Sequence, residues 1–184
     1  MILNNKSQMF SIWFPIDFFY GEVIEQWTPF VEKMKLPYMS LTDFMNSQIQ
    51  KVNFPSIDIG ESNQQQGQFD IGYTVGKELE PLLNKTLTIT MKLTESYLTY
   101  WIFYSQIHYF LEYRNKYGEN RVFMNNVHLS FLNDAGFSLV DCTYKYLVPT
   151  SLGTFDLSYA AQLASYTTFD ISFRYNRFDI TPYK

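Results

Sequence analysis

Of the side chains that most often do chemistry, this 184-residue chain offers two histidines, His108 and His128, and one cysteine, Cys142. A nucleophile needs a base within reach and a third group to orient that base. Nothing in the spacing supplies such company. His108 lies inside the aromatic run YLTYWIFYSQIHYFL at 97–111, where a hydrogen-bonded core or interface histidine is expected rather than a base. His128 alternates with Asn126 and Ser130 on what reads as the solvated side of a strand. Cys142 runs in phase with Val140 and Tyr144, as a small buried apolar residue does. One Cys and two His leave too few ligands for a structural zinc site, and a lone cysteine has no intramolecular disulfide partner. Asp156, Asp170 and Asp179 fall on separate strand segments, with no spacing that pairs two of them as acid and base. The phosphate-cradling glycine loop and the His-Glu-x-x-His, Cys-x-x-Cys and Gly-x-Ser-x-Gly motifs do not occur. The expectation is therefore no catalytic residue, no cofactor and no metal: a protein that is not an enzyme.

Arg174-Tyr175-Asn176-Arg177-Phe178 is a basic-aromatic cluster of the kind that stacks bases and holds phosphates. Two arginines flanked by Asp170 and Asp179 are few for that work, and a salt-bridged strand face is the expected reading. The whole chain carries 14 Lys+Arg against 18 Asp+Glu, a net charge of −4, which argues against gripping nucleic acid through counterion release. Aromatic residues make up 19% and charged residues 17%, the reverse of a disordered composition. The length fits one domain with a substantial core. The apolar stretches at 9–20 and 97–111 are interrupted or too short to span a bilayer, and both read as buried elements. No membrane is expected among the partners.

The elements that would position these residues follow from their periodicity. Ile12 to Ile16 reads as a strand or extended arm ended by Gly21. Residues 22–35 carry two short helical pieces, the second capped by Thr28 ahead of Pro29. Ser40 and Asp43 form a capping-box signal for a helix that uses Leu41, Phe44, Met45, Ile49 and Val52. Residues 60–68, GESNQQQGQ, read as a solvated hairpin loop or as a loop lying on a neighbouring subunit. From residue 69 the period becomes two: Phe69, Ile71, Tyr73 and Val75 alternate with polar or small residues, and so do Leu87, Ile89, Met91 and Leu93. Thr94 caps a helix over 95–111 that is apolar around most of its circumference, so it packs on a sheet and meets something else besides. A meander follows: Val127 to Phe131, a turn at 133–136, a return strand from Val140 to Val148 stopping at Pro149, a strand starting at Phe155 and Leu157, and the alternating run Phe169, Ile171, Phe173, Tyr175. The fold class is mainly β, an antiparallel sandwich or partly closed barrel of six or seven strands, with a flanking helix and short N-terminal helices.

The stretch from Tyr144 to Tyr159 has an aromatic strand, a Pro149-Thr150-x-x-Gly153 turn and a short strand ending in Ser158-Tyr159; the run from Thr168 to Phe178 follows. This order resembles the C-terminal half of the tail tube proteins of contractile-tailed phages. The upstream order is similar too: an extended segment with Pro55, a polar loop, a Thr-rich strand at 86–93 and an aromatic helix near Tyr97. The resemblance covers about residues 52 to 180. Leu147-Val148 stands where the family has a glycine before its proline step, and residues 1–51 form a more helical and aromatic extension than a plain tube subunit needs. The second departure favours a tube-like hub, initiator or adaptor ring, with the repeating tube subunit the other choice.

What the resemblance implies is one tail-tube-like domain over 1–184, forming a ring, commonly a hexamer or a multiple of six. Such a ring closes its strand edges on neighbouring copies and lets DNA pass through its lumen. Its partners would be further copies of itself and adjacent tail, baseplate or portal-adaptor proteins. Its location would be the phage tail of a virion made in the bacterial cytoplasm. The lumen-facing candidates are Thr88, Thr90 and Lys92, or Asp170, Ser172 and Arg174, since the sequence does not choose between the two sets. The ring-stacking candidates are Glu61, Ser62, Asn63, Gln64, Gln65, Gln66 and Gln68. Aromatic candidates for burial between subunits are Trp13, Phe14, Trp27, Tyr100, Trp101 and Tyr104. The competing reading is a monomeric small-ligand-binding β-barrel with a closed apolar pocket.

Overall fold

The computed structural model describes residues 10–35, 37–56, 61–66, 69–74, 85–117, 123–133, 135–155 and 167–183. Gln68, Val75, Asp134, Asp156 and Leu157 lie outside them. Strand β1 (Phe10–Trp13) leads through a buried aromatic corner, Phe14, Phe18 and Phe19, into α1 (Gly21–Lys33). Gly21 thus opens a helix instead of closing a strand. α1 is continuous through Pro29, where two helical pieces were expected. Proline costs the bond it would have donated to the fourth residue back, and here the Thr28 hydroxyl turns back to the Ile24 carbonyl at 2.6 Å rather than capping a new helix.

Helix α2 (Leu41–Ser47) has the expected cap: Ser40 Oγ accepts from the Asp43 backbone N–H at 3.0 Å, and the Asp43 carboxylate reaches the Met39 N–H at 3.2 Å. It buries Leu41, Phe44 and Met45. It stops two residues before Ile49, because Ile49–Val52 is strand β2, paired with β5 (Thr86–Lys92) through a bulge. A spacing that suits a helix was here shared by a helix and the strand after it.

Strands β3 (Glu61–Gln66) and β4 (Phe69–Thr74) form a two-stranded antiparallel hairpin, with Glu61 opposite Thr74 and Gln66 opposite Phe69. After β5, Thr94 accepts the Thr99 N–H at 3.2 Å across a short left-handed step at Ser96 and Tyr97. Helix α3 (Leu98–Tyr117) follows. Thr94 therefore caps the helix as expected, from one turn further away.

The meander comprises β6 (Val127–Leu132), β7 (Ser138–Lys145), β8 (Val148–Leu152), β9 (Thr168–Arg174) and β10 (Arg177–Pro182). Pro149 does not stop a strand. Tyr146, at φ 57°, breaks the run, and Pro149 sits within β8, an edge strand where a missing donor is tolerated. Phe155 lies in coil beyond β8 and packs on Tyr97 and Tyr100.

The first sheet has the order β1-β6-β7-β10 and the second β2-β5-β9-β8, antiparallel throughout. The architecture is an antiparallel sandwich with a flanking helix, as expected. The described strands number ten rather than six or seven, because short edge strands join the long alternating ones. Between the sheets lie Ile12, Val127, Leu129, Cys142 and Tyr144 from one side and Leu87, Ile89, Met91, Phe169, Ile171 and Phe173 from the other. Phe103 of α3 joins this core edge-on to Phe14 and Phe169, with ring centroids 5.8 and 6.4 Å apart. The segment 10–51 contributes β1 to a sheet and Phe14, Phe18, Val23, Phe44 and Met45 to the same core.

The chain passes between sheets twice at one side, from β7 to β8 through Tyr146 and from β9 to β10 through Tyr175 and Asn176. Asn176 ties the two crossings together, its N–H to the Lys145 carbonyl at 3.1 Å and its side-chain amide to the Tyr146 carbonyl at 3.0 Å. At the opposite side, edge strands β1 and β2 flank an open groove of about 680 Å³. There Asn46 of α2 both accepts from the Phe14 N–H at 2.7 Å and donates to its carbonyl at 3.1 Å.

Candidate assembly surfaces

Strands β5 and β9 are strictly alternating, and their antiparallel register sets like against like: Leu87 opposite Phe173, Ile89 opposite Ile171, Met91 opposite Phe169. One side of the pair is thereby fully apolar and buried. The other side carries Thr86 opposite Arg174, Thr88 opposite Ser172, Thr90 opposite Asp170 and Lys92 opposite Thr168. The two alternative lumen-facing sets are thus one surface, not rivals. Their side chains bond across the strands, Thr88 Oγ1 to Ser172 Oγ at 3.0 Å and Thr90 Oγ1 to the Asp170 carboxylate at 2.6 Å. Lys51 of β2 lies opposite Thr90 on the same face, and Ser151 of β8 lies opposite Ser172.

The edges of this sheet, β2 and β8, have no second strand partner among the described residues. β8 is drawn tightly onto β9 just beyond its end, where the Gly153 N–H meets the Asp170 carbonyl at 2.6 Å. A Cβ at Gly153 would lie 2.9 Å from that carbonyl oxygen, so a glycine is required by contact. The sequence held the signal, a glycine four residues after a proline, though not its reason.

The polar stretch expected as a loop is strand for Glu61, Ser62, Asn63, Gln64, Gln65 and Gln66. A run without apolar residues gives no period to read, yet its backbone pairs fully with the alternating β4.

The six aromatic candidates divide. Phe14 is 1% exposed and belongs to the core, which corrects its placement between subunits. Its neighbour Trp13, the last residue of β1, points outward and stacks on His128 at 4.3 Å and 15°. Trp27 is half-buried, its indole N–H donating to Ser105 Oγ at 3.0 Å. Tyr100 is half-buried against Phe155 and Phe169. Trp101 and Tyr104 stand 42% and 52% exposed on α3. Tyr104, His108 and Leu111 line a groove of about 490 Å³ between α3 and β8. Trp101, Tyr104 and Leu111 thus leave a second side of the helix exposed among the described residues.

His108 is exposed beside Glu112 at 3.8 Å, so it is not a core histidine. His128 is half-buried under Trp13, and burial pushes its pKa below the ordinary 6.5. Cys142 is buried, which pushes its thiol up to about 11 and leaves it inert. Asp179 bridges Lys145 and Arg177 at 2.7 Å each, so Arg177 has the salt-bridged strand face expected of the arginine cluster, while Arg174 lies on β9 of the other sheet. Asp141 on the same sheet accepts from Ser138 Oγ at 2.7 Å and Tyr183 Oη at 2.5 Å. Hydrogen bonds hold both carboxyls below their usual range, from Lys145 and Arg177 at Asp179 and led by Ser130 at Asp141. Gln106 was missed. Buried in the apolar helix, it donates to the Phe18 carbonyl and accepts from the Tyr20 N–H, both at 3.0 Å, satisfying the backbone of the aromatic corner. A lone amide inside an apolar helix is the cue that would have found it.

No protein-family model matches the chain, and no curated protein does. Among solved structures it is similar to a chain of the anti-feeding prophage baseplate, at 13% identity and a TM-score of 0.44, covering 73% of this chain and 79% of that one. It is similar also to a chain of the sheath/tube terminator of an extracellular contractile injection system, at 14% identity and 0.48, covering 72% and 84%. An Hcp protein is similar at 11% identity and 0.36, covering 73% and 76%. No helix among the described residues is long and apolar enough to cross a membrane.

Proposed function

We propose that this chain is a structural, non-enzymatic component of a contractile-type phage tail, a tail tube subunit or a tube-like hub or adaptor, which forms a ring and conducts DNA during ejection. The observation that carries the reading is the second sheet: an outward face of paired hydroxyl and charged residues, bounded by the edge strands β2 and β8. Unpaired edges invite strand addition, and a closed ring of copies joined edge to edge satisfies them without leaving a free end. The polar face then lines the channel, while Trp101 and Tyr104 supply the aromatic surface that interfaces favour. The hairpin β3–β4 is the candidate contact between stacked rings, now as a strand ribbon. Hexameric closure, neighbours in the tail or baseplate and a virion location belong to the same proposal. The rival small-ligand barrel is disfavoured, because the space between the sheets is filled by side chains and the grooves described lie at the surface.

Light-scattering mass and negative-stain micrographs of the purified chain test the reading. Rings or tubes with a central hole are expected, and a monomer that persists at high concentration and with added tail components would overturn it. Deleting Ser62 to Gln66 is expected to leave single rings folded while abolishing their stacking.

A further inference from the structure

Strands β2 and β8, the edges of the second sheet, are short and each carries a bulge, features that ordinarily discourage strand addition. The two bulges have the same shape. In β2, Gln50 is the extra residue between Ile49 and Lys51; in β8, Thr150 is the extra residue between Pro149 and Ser151. Each edge therefore presents two consecutive exposed residues between two half-buried ones: Gln50 and Lys51 between Ile49 and Val52, Thr150 and Ser151 between Pro149 and Leu152. A regular strand alternates at every residue and matches neither edge along all four positions. Behind each edge lies an open groove, lined at β2 by Phe10, Ile49 and Val52 and at β8 by Tyr104, Leu111 and Leu152.

We propose that β8 of one copy pairs with β2 of the next in a single register: Ile49 opposite Leu152, Gln50 opposite Ser151, Lys51 opposite Thr150 and Val52 opposite Pro149. This rests on the reading of the chain as a ring subunit and specifies the joint. The direction follows from the sheet order. In β2-β5-β9-β8 every strand opposes the next, so β2 and β8 run in opposite senses, and rotation about a ring axis brings β8 antiparallel to the neighbour's β2. Sliding the strands by one, two or three residues sets exposed residues against half-buried ones or leaves most of the edge unpaired. The pairing joins the two grooves into one buried seam, with Ile49 and Val52 beside the neighbour's Tyr104 and Leu111. Within one copy Ile49 stands level with Met91, and Leu152 stands level with Ile171 and so with Ile89. Every joint therefore steps the strands along by the two rungs between Met91 and Ile89, a stagger of the kind that closing a sheet into a barrel demands. Pro149 has no N–H to donate, and its pair is held by side-chain contact.

Disulfide trapping in the full chain tests the register, since the single cysteine, Cys142, is buried. Directly opposite side chains lie within disulfide reach. Under diamide oxidation, Gln50→Cys with Ser151→Cys and Lys51→Cys with Thr150→Cys are each expected to give a ladder of linked multimers that reductant collapses. Val52→Cys with Leu152→Cys, the pair that stands level in an unstaggered joint, falls about three residues, roughly 10 Å, apart. It is expected to link at least about ten-fold less. Each cysteine alone is expected to give no ladder, and a dimer from Gln50→Cys alone would show like edges meeting and overturn the joint. Tyr104→Asp, at an exposed site, is expected to leave the urea midpoint unchanged and to weaken assembly at least about ten-fold by light scattering. The inference falls if rings form and the named pairs do not link, if the level pair links as well as they do, or if Tyr104→Asp assembles like the wild type. Those results leave the ring reading standing. A chain that stays monomeric and links in no pair removes the ring reading and this joint with it. Linked open chains without closed rings keep the joint and remove the closure.

Discussion

The outward faces of the two sheets are built to opposite plans. The first is stitched to itself: Asp179 holds Lys145 and Arg177, Asp141 gathers Ser138 and Tyr183, and Trp13 lies flat on His128. The second spends small hydroxyls on one another and on the Asp170 carboxylate. Charges paired within a surface have little left for a partner. In the proposed ring the first sheet would be the wall and the second the working face.

The largest expected effect lies beneath both faces. Phe14→Ala removes a ring packed on Phe18, Phe19 and Phe103 and should cost about 3–5 kcal/mol in urea unfolding. A small loss would mean that the aromatic corner is not the shared foundation of the two sheets.

Gly153→Ala comes next, at about 1–3 kcal/mol, because its Cβ meets backbone of the neighbouring strand and not a movable side chain. It should loosen the edge of the working face specifically, seen as faster amide exchange in β8 than in β10.

Acid should separate the faces further. His128, Asp141 and Asp179 all have folded pKa values below their ordinary ones. A depressed pKa contributes stability that is present above the unfolded value and lost as pH falls through the folded one. The first sheet should therefore weaken below about pH 6.5 through His128 and again below the ordinary carboxylate range through the two aspartates. Asp141→Asn with Asp179→Asn should flatten the lower step of a stability–pH curve. A curve unchanged by the pair would break the stitched-face description.

The smallest effect is on the second sheet itself. Thr88→Val with Ser172→Val should change stability by less than about 1 kcal/mol, since a cross-strand pair contributes that order.

How far the sequence foretold this differs by region. β5 and β9 were legible because both their faces are uniform: one set buried, the other polar. Their mutual register was not, since pairing between segments some eighty residues apart leaves no local trace. The lumen candidates therefore stood as two sets until the ladder joined them. The strand Glu61–Gln66 was illegible for the opposite reason, having no apolar residue to set a period. Trp13, the last residue of β1, and Phe14 just beyond it show the limit between two neighbours. Adjacent aromatics point to opposite sides, and which is core depends on which side the second sheet occupies. The Ser40 cap, a local interaction three residues long, was read correctly.

The two chain crossings joined by Asn176 make one side of the sandwich a covalent hinge, while the other side is fastened by the amide of Asn46. The side fastened by that amide carries the edge β2, which a neighbouring copy would have to reach in the proposed ring. Docking there would act as a second fastening, so each joint made in a ring would stiffen the subunit that makes it.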